Sequence, residues 1–311
     1  MSDLNTHIDA WHTTGHPYAL ASIVATHGST PREVGPAFAV DEHGRAVGSV
    51  SGGCVDAAVY DLCLRVLDVA AQGPLRETFG DTTADDDPLN LRPALVCGGE
   101  IIVEARRVDP RTDRPPIPEP PDPPRLLVFG AVAFAESLVK MGKLLGYHVT
   151  VCDARPIFAT PARYPEADEV VVSWPDRYLA ATDTDHRTAI CVLTHDEKYD
   201  VPVLREALRL PVSYVGAIGS RKTCAHRVTR LRDLGVPQQE LDRLRSPIGL
   251  DLGAHTPEEV AVSILAEIIA VARGGSGRPL HDTEGPIHRR GQVKASRHHT
   301  TERPAATLPP G

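Results

Sequence analysis

Two cysteines stand beside glycine pairs, a setting in which a thiolate can be stabilised. One pair precedes a predicted helix that starts near residue 55, and the other lies between two short apolar segments. Unpaired backbone N–H groups at a helix start favour a thiolate or a bound phosphate. The two loops predict a site for a soft metal, sulfur transfer or an anion, with two tight turns around small buried thiols as the alternative. The candidate residues are Ser51, Gly52, Gly53, Cys54, Cys97, Gly98 and Gly99.

A third candidate loop follows a predicted strand over residues 18–27. It offers two hydroxyls, Ser29 and Thr30, and the guanidinium of Arg32. Arginine binds phosphate or carboxylate through two parallel hydrogen bonds, so this loop is a candidate anion site. An ordinary surface turn is the alternative.

Residues 125–273 alternate short apolar strands with helices, which predicts a doubly wound parallel sheet. Ligands of such sheets bind beyond the carboxyl ends of the strands. His195 follows one strand and could exchange protons, while a polar run at the start of a helix could hold an anion. The residues of that run are Ser220, Arg221 and Lys222.

The first strand of that region ends in half of a dinucleotide-binding fingerprint. Gly130 occupies the first glycine position, and Asp153 ends the second strand, where a ribose-binding carboxylate belongs. The second glycine position holds Val132, whose branched side chain would crowd a pyrophosphate. The sequence therefore leaves two interpretations open, an NAD(P) site and a scaffold whose nucleotide site has weakened.

The prolines divide the chain. Eight of the 28 fall within residues 109–124, a segment that favours an extended path and suits a linker. Residues 1–108 are predicted to form a small α+β module, with strands over 18–27, 37–41, 46–50, 94–97 and 101–106. Residues 274–311 have few aliphatic side chains and are predicted to be a disordered tail.

Composition narrows the class of protein. A net charge of −8 argues against a nucleic-acid-binding surface. The sequence has no run of 18 apolar residues, which argues against a membrane span. The N-terminus lacks a signal-peptide pattern, so a reducing cytoplasm is expected and the six cysteines are not interpreted as disulfides. Cys63, Cys152, Cys191 and Cys224 are expected to pack.

Five motifs together resemble the XdhC/CoxI family, over about residues 10–273. They occupy residues 27–32, 51–54, 97–99, 214–222 and 247–251. The resemblance implies a Rossmann-like C-terminal domain behind an N-terminal XdhC/CoxI module. It also implies an accessory protein for molybdenum hydroxylases such as xanthine dehydrogenase, and leaves open whether the chain is itself an enzyme. Such a protein binds molybdenum cofactor as cargo, protects it during sulfuration by a cysteine desulfurase and delivers it to the apoenzyme. The resemblance is compatible with a homodimer.

The resemblance also suggests roles for the loop residues. Arg32, the hydroxyls of residues 29 and 30 and the glycine amides would hold the anionic end of the cofactor. The Cys54 thiolate would lie beside the molybdenum or the exchanging sulfur, with Cys97 as the second candidate. Two other functions remain open: an NAD(P)-dependent oxidoreductase using Asp153 and His195, and a scaffold that only recruits a partner.

Overall fold

The computed structural model describes residues 2–28, 30, 34–68, 73–80, 95, 99–115, 122–285 and 287. Four predicted site residues lie outside the described residues, as does the predicted strand over residues 94–97, apart from residue 95. These four are Ser29, Arg32, Cys97 and Gly98.

The first half of the described chain contains a five-stranded sheet in which all the neighbouring pairs are antiparallel. The strand order is β3-β2-β1-β5-β4, so β1 is the central strand. The predicted strands over 18–27, 37–41, 46–50 and 101–106 all correspond to observed ones. The elements are α1 (Ser2–Thr14), β1 (Tyr18–His27), β2 (Gly35–Asp41), β3 (Ala46–Gly48), α2 (Asp56–Asp68), β4 (Leu75–Phe79) and β5 (Glu100–Val108).

Strand β1 buries side chains on both faces of this sheet, because successive residues of a strand point to opposite sides. Ala19, Ala21 and Ile23 join the core beneath α2, whereas Tyr18 and Leu20 join the core beneath α1. The sheet is therefore a layer between two helices. Helix α1 was not predicted from the sequence, although its buried residues follow helical spacing: Leu4, Ile8 and Trp11.

The second half forms a six-stranded sheet whose neighbouring strands all run parallel. Its order, β8-β7-β6-β9-β10-β11, is that of a doubly wound Rossmann-like fold, which confirms the predicted fold class. The strands are β6 (Arg125–Phe129), β7 (His148–Asp153), β8 (Glu169–Val172), β9 (Ala189–Val192), β10 (Tyr214–Ala217) and β11 (Leu244–Arg245). The helices are α3 (Ala133–Leu144), α4 (Pro175–Ala181), α5 (Glu197–Ala207), α6 (Arg221–Asp233), α7 (Gln238–Leu241) and α8 (Pro257–Arg273), followed by a 3-10 turn at Leu280–Asp282.

Helices cover both faces of the parallel sheet. In β6, Leu126 and Val128 belong to the core that includes residues of α3 and α8, while Leu127 and Phe129 belong to the core that includes residues of α5 and α6. The strand order reverses between β6 and β9, so the crevice that binds ligands in such folds opens beyond Phe129.

Capping side chains mark the start of helices α8 and α5. Thr256 forms a capping box with Glu259 at the start of α8, as the Thr-Pro-Glu-Glu pattern indicates. Helix α5 begins at Glu197, where the side chain of Asp196 accepts a hydrogen bond from the N–H of Lys198.

A buried ion pair joins α5 to α6. The guanidinium of Arg227 donates to Asp200 at 2.7 Å, and both side chains are at most 3% exposed. Thr194 donates its hydroxyl to the other oxygen of Asp200. Burial raises the pKa of Asp200 to about 6, while Arg227 opposes that rise. Arg227 also donates to the carbonyl of Ile218, so the pair connects the chain segments that follow β9 and β10.

Replacing Arg227 with methionine should therefore lower the free energy of unfolding by about 3–5 kcal/mol, because a buried carboxylate loses its cation. Urea unfolding followed by far-UV circular dichroism measures the change. The matched control is Arg209→Met, which breaks an exposed pair with Glu206 and should cost no more than about 0.5 kcal/mol. Equal unfolding midpoints for the two variants would contradict this account of the pair.

Candidate functional site

The loop between β3 and α2 is tied to the first residue of α2. The carboxylate of Asp56 accepts hydrogen bonds from the N–H groups of Val50 and Ser51, at 3.0 and 3.1 Å. It also accepts the hydroxyls of Ser49, at 2.5 Å, and Ser51, at 3.1 Å. A single side chain thus gathers three consecutive residues of the loop. Sequence reasoning missed Asp56, although an acidic residue in the first turn of a helix is its usual signal.

Two serine hydroxyls of the loop accept hydrogen bonds from backbone N–H groups further along it, and its two glycines have space beside them. Ser49 accepts the N–H of Gly52 at 2.7 Å, and Ser51 accepts the N–H of Val55 at 2.9 Å. Gly52 and Gly53 adopt φ values of +74° and +123°, which favour glycine. Apart from the glycine itself and its two flanking residues, no described atom lies within 4 Å of a Cβ built at either position. Space is therefore open where side chains would stand at Gly52 and Gly53, while the Gly52 N–H is already bonded to Ser49.

Cys54 lies in this loop, two residues before α2, and its side chain is exposed. The other four cysteines of the described chain are buried, in agreement with the expectation that they pack. Burial raises the pKa of the Cys63 and Cys152 thiols to about 12, and that of Cys191 still further. Among the described cysteines, Cys54 is thus the one placed to react.

Iodoacetamide should modify Cys54 before the four buried cysteines in the native protein, because alkylation needs an accessible thiolate. Peptide mass spectrometry after a short exposure at neutral pH measures the order. Cys54→Ser should remove the rapid labelling at this position, whereas Cys224→Ser, at a buried thiol, should leave the rapid phase unchanged. Rapid labelling of Cys152 or Cys191 in the folded protein would contradict the placement of these thiols.

Strand directions bring the ends of the three predicted loops to one end of the first sheet. His27, the last residue of β1, pairs with Glu100, the first residue of β5. Because β2 and β3 are antiparallel neighbours, β3 runs towards the end where β2 begins, and its last residue, Gly48, pairs with Phe38. The loop after residue 27, the loop after residue 48 and the segment before residue 100 therefore all leave the sheet from the same end.

Two close approaches of the backbone fix positions at that end. Gly99 is buried, and a Cβ built on its neighbour Gly80 would lie 2.6 Å from the Gly99 carbonyl oxygen. A Cβ on Gly48 would lie 2.2 Å from the carbonyl oxygen of Ala37. Side chains at residues 48 and 80 would thus push neighbouring strand ends apart.

Thr30, in the loop that follows β1, is half-buried.

The crevice of the second sheet holds Gly130 and Asp153, the two residues that match the dinucleotide-binding fingerprint. Gly130 adopts φ +113°, and a Cβ there would lie 2.7 Å from the Thr194 methyl carbon. Only glycine therefore fits between the ends of β6 and β9. The N–H of Ala131 donates to Asp153 at 2.8 Å, so the carboxylate fastens the turn after β6.

Arg155 occupies both oxygens of Asp153. Its Nε and Nη2 donate to the carboxylate at 2.9 and 2.8 Å, and its backbone N–H donates at 2.9 Å. Burial by itself would raise the pKa of Asp153, but the Arg155 guanidinium and the Ala131 and Arg155 N–H groups hold it below its usual value. Asp153, the carboxylate predicted to bind a ribose, is thus already hydrogen-bonded to other residues of the chain. Sequence reasoning missed Arg155, which the Asp-Ala-Arg spacing could have indicated.

Asp153→Asn should lower the free energy of unfolding at pH 7 by about 1–3 kcal/mol, because charge-assisted hydrogen bonds are lost. The folded-state pKa of Asp153 lies below its ordinary value of 3.8, so its stabilisation is complete above that pH and is lost as the pH falls further. The stability difference between wild type and variant should therefore shrink as the pH falls below about 4. Urea titrations at several pH values measure it. A difference in unfolding free energy between wild type and variant that increases on acidification would contradict this role of Asp153.

The remaining predicted residues lie around the same crevice. Ser220 caps α6, its hydroxyl accepting the N–H of Thr223 at 3.1 Å, and Arg221 and Lys222 are exposed in the first turn. His195 is exposed just after β9. The structure therefore leaves one histidine and two cations accessible at the carboxyl ends of β9 and β10.

The loop over residues 247–251 is fastened beside β10. The N–H of Ile248 donates to the carbonyl of Ala217 at 3.1 Å. Glu267 of α8 accepts the N–H of Gly249 at 2.8 Å and the hydroxyl of Tyr214 at 2.6 Å. A Cβ on Gly216 would lie 2.6 Å from the Ile248 side chain, so the absence of a side chain there allows the loop to lie close to the strand.

None of the helices within the described ranges combines the length and apolar composition needed to cross a lipid bilayer.

Two family profiles match the chain. The profile of the XdhC and CoxI family matches residues 11–80, which include the loop after β1 and the loop that contains Cys54. The profile of the XdhC Rossmann domain matches residues 126–268, the region of the parallel sheet. Together they cover about two thirds of the 311 residues. The chain belongs to the XdhC/CoxI family.

Three curated relatives align over most of the chain. It is 26% identical to a protein of Bacillus subtilis named as a probable xanthine dehydrogenase subunit, covering 86% of this chain and 97% of the relative. It is 27% identical to the molybdenum cofactor insertion chaperone PaoD of Escherichia coli, covering 83% and 84%. It is also 27% identical to the uncharacterised protein YqeB of Escherichia coli, where 85% of this chain spans only 46% of the relative.

The fold also resembles a solved structure. A Bacillus halodurans protein described as a xanthine dehydrogenase matches with a TM-score of 0.65 and 23% identity, covering 86% of this chain and 95% of the other. At this level of identity the match establishes the shared fold.

Proposed function

We propose that this protein is a maturation factor that binds molybdenum cofactor and delivers it to a molybdenum hydroxylase apoenzyme. One observation carries the proposal: β1 and β3 run towards one end of the first sheet and β5 begins there, so three sequence segments rich in glycine, hydroxyl and thiol groups adjoin that end. The similarity to a chain named as a molybdenum cofactor insertion chaperone supports it. On this proposal the protein is a carrier, and the chemistry of substrate oxidation belongs to its client.

The chemistry of the loops suits this cargo. Molybdenum cofactor presents a phosphate, a pterin and a metal held by dithiolene sulfurs. The Gly53 N–H, the Ser29 and Thr30 hydroxyls and the Arg32 guanidinium are donors for the anionic end, while Gly52, whose N–H is bonded to Ser49, leaves space for the cargo. Ser51, Gly98 and Gly99 belong to the same loops. A thiolate is a suitable ligand for the soft, sulfur-bound metal, so Cys54 is assigned to the metal end, with Cys97 as its companion.

Asp56 is assigned a positioning role. Its carboxylate does not touch the open side of the glycines but gives the loop its shape through four hydrogen bonds. A loop that already has its bound shape loses less conformational entropy when the cargo arrives. The Cys54 thiol is thus offered from a pre-shaped turn.

The other parts of the proposal follow from this role. A cysteine desulfurase would supply sulfur while the cofactor is held, and the apoenzyme would receive it; both partners are cytoplasmic in this scheme. Two copies of the chain would form a homodimer. The second domain, residues 125–273, would offer its Gly130 and Asp153 turn, His195 and the exposed cations at 220–222 to the cargo or the client. The linker over 109–124 would join it to residues 1–108.

Cys54→Ser and Cys97→Ser should each reduce the molybdopterin that copurifies with the protein, because a metal-facing thiolate is removed. Asp56→Asn should lower cofactor affinity by about 10- to 100-fold, the usual cost of losing a group that orients a ligand. Fluorescence of the oxidised pterin after release and metal analysis for molybdenum measure the bound amounts.

Asp61→Asn is the matched control, since Asp61 is an exposed residue of the same helix. It should retain cofactor at the wild-type level. Wild-type retention in both cysteine variants would refute the assignment of the thiols. Equal retention in the Asp56 and Asp61 variants would refute the positioning role.

A further inference from the structure

Three metal-binding side chains meet on the surface of the first sheet, away from the loops assigned to the cargo. His16 follows α1, and Glu42 and His43 form the turn between β2 and β3. One ligand atom from each residue lies within 4.8 Å of the other two. The Nδ1 atom of His16 is 2.6 Å from Oε1 of Glu42, and the Nε2 atom of His43 is 3.9 Å from the same oxygen.

The turn that carries two of these residues is held by a buried carboxylate. Asp41 is fully buried and accepts the N–H groups of His43 and Arg45, at 2.9 and 2.8 Å. Arg45 also donates its Nε to Asp41 at 2.6 Å. Gly44 adopts φ +79°, and its carbonyl accepts the hydroxyl of Tyr60 at 3.1 Å. The backbone of Glu42 and His43 is therefore fixed on both sides.

His16, on the other side of the cluster, is held in place as well. Gly15 adopts φ +71° at the end of α1, and the N–H of His16 donates to the carbonyl of Trp11 at 3.2 Å, which closes the helix. Trp11 is 5% exposed and packs against Tyr18, with ring centroids 5.4 Å apart. His16 is thus presented to the turn by an element that is anchored in the core.

An ion pair between His16 and Glu42 explains only part of this arrangement. His43 is 61% exposed and could turn towards solvent, yet its ring lies 5.7 Å from the ring of His16. Two imidazoles and a carboxylate form a known three-residue ligand set for zinc, with a further position left for water. Ligands about 2.0–2.1 Å from a tetrahedral ion lie about 3.3 Å apart, so small rotations of exposed side chains would complete the site.

We propose that His16, Glu42 and His43 bind a divalent transition-metal ion, with Zn²⁺ as the representative. The ion would connect the end of α1 to the β2–β3 turn and so fasten the outer helix to the sheet edge. Imidazole nitrogens favour zinc, copper and nickel over Mg²⁺, which prefers oxygen ligands. This site does not depend on the proposed carrier function, since it uses none of the residues assigned to the cargo.

Calorimetric titration of the full-length, chelator-treated protein with Zn²⁺ tests the site. Every protein carries Cys54→Ser and Cys97→Ser, so that these thiols do not compete for the metal. The parent should bind one tight equivalent of Zn²⁺ that Mg²⁺ does not displace. His16→Ala and His43→Ala should each lose that equivalent, and Glu42→Gln should weaken it.

His226→Ala is the matched control. His226 contacts Glu197 at 2.8 Å on the surface, a pair of the same kind, but among the described residues no third metal ligand completes a group there. The control should keep the tight equivalent. The proposal is overturned if the parent binds no Zn²⁺ tightly, or if the His16 and His43 variants bind as the parent does. Far-UV circular dichroism of each variant separates lost binding from lost folding.

Discussion

Strand β1 is the element on which the candidate site depends. It pairs with β2 on one side and β5 on the other, and both pairings are antiparallel. Its register places His27 opposite Glu100, so the chain leaves β1 beside the point at which it enters β5. A shift of one residue would move the buried side chains of β1 to the opposite faces and separate these loop ends. The two cores beneath α1 and α2 therefore hold the register that assembles the site.

Two carboxylates shape the turns at the two candidate sites. Asp56 holds the Cys54 loop in shape, and the space beside its two glycines stays open. Asp153 fastens the turn after β6, but its oxygens are filled by Arg155 and the Ala131 N–H. The same kind of residue thus has opposite consequences: one turn keeps open space beside its glycines, and the other is closed by an internal partner. This contrast favours the first sheet as the location of the cargo.

Much of the fold could be predicted from local patterns. Apolar strands alternating with helices indicated the parallel sheet, and the Thr256 capping box marked the start of α8. Helix α1 was missed because, over its residues 4–14, only three are buried: Leu4, Ile8 and Trp11. Strand β4 was missed because its residues Leu75–Phe79 include three polar side chains, and its place comes from pairing with β5. Tertiary contacts decide such elements, and local propensity does not reveal them.

The candidate site was predictable in residue types but not in geometry. The glycine pairs beside Cys54 and Cys97 were visible in the sequence. That the flanking strands bring them towards the same end of the sheet follows only from strand pairing. The roles of Asp56 and Arg155 needed the hydrogen bonds, because an Asp at a helix start and an Arg near a strand end are common. The crowding around Gly130 likewise comes from Thr194, which lies 64 residues later in the sequence.

Anomalous diffraction at the molybdenum absorption edge tests the central claim most directly, using crystals of the protein carrying its cofactor. We predict one molybdenum peak at the loop end of the first sheet, next to the Cys54 loop and beyond His27 and Glu100. A peak in the crevice beyond Gly130, or none in protein shown to contain molybdenum, would contradict the assignment.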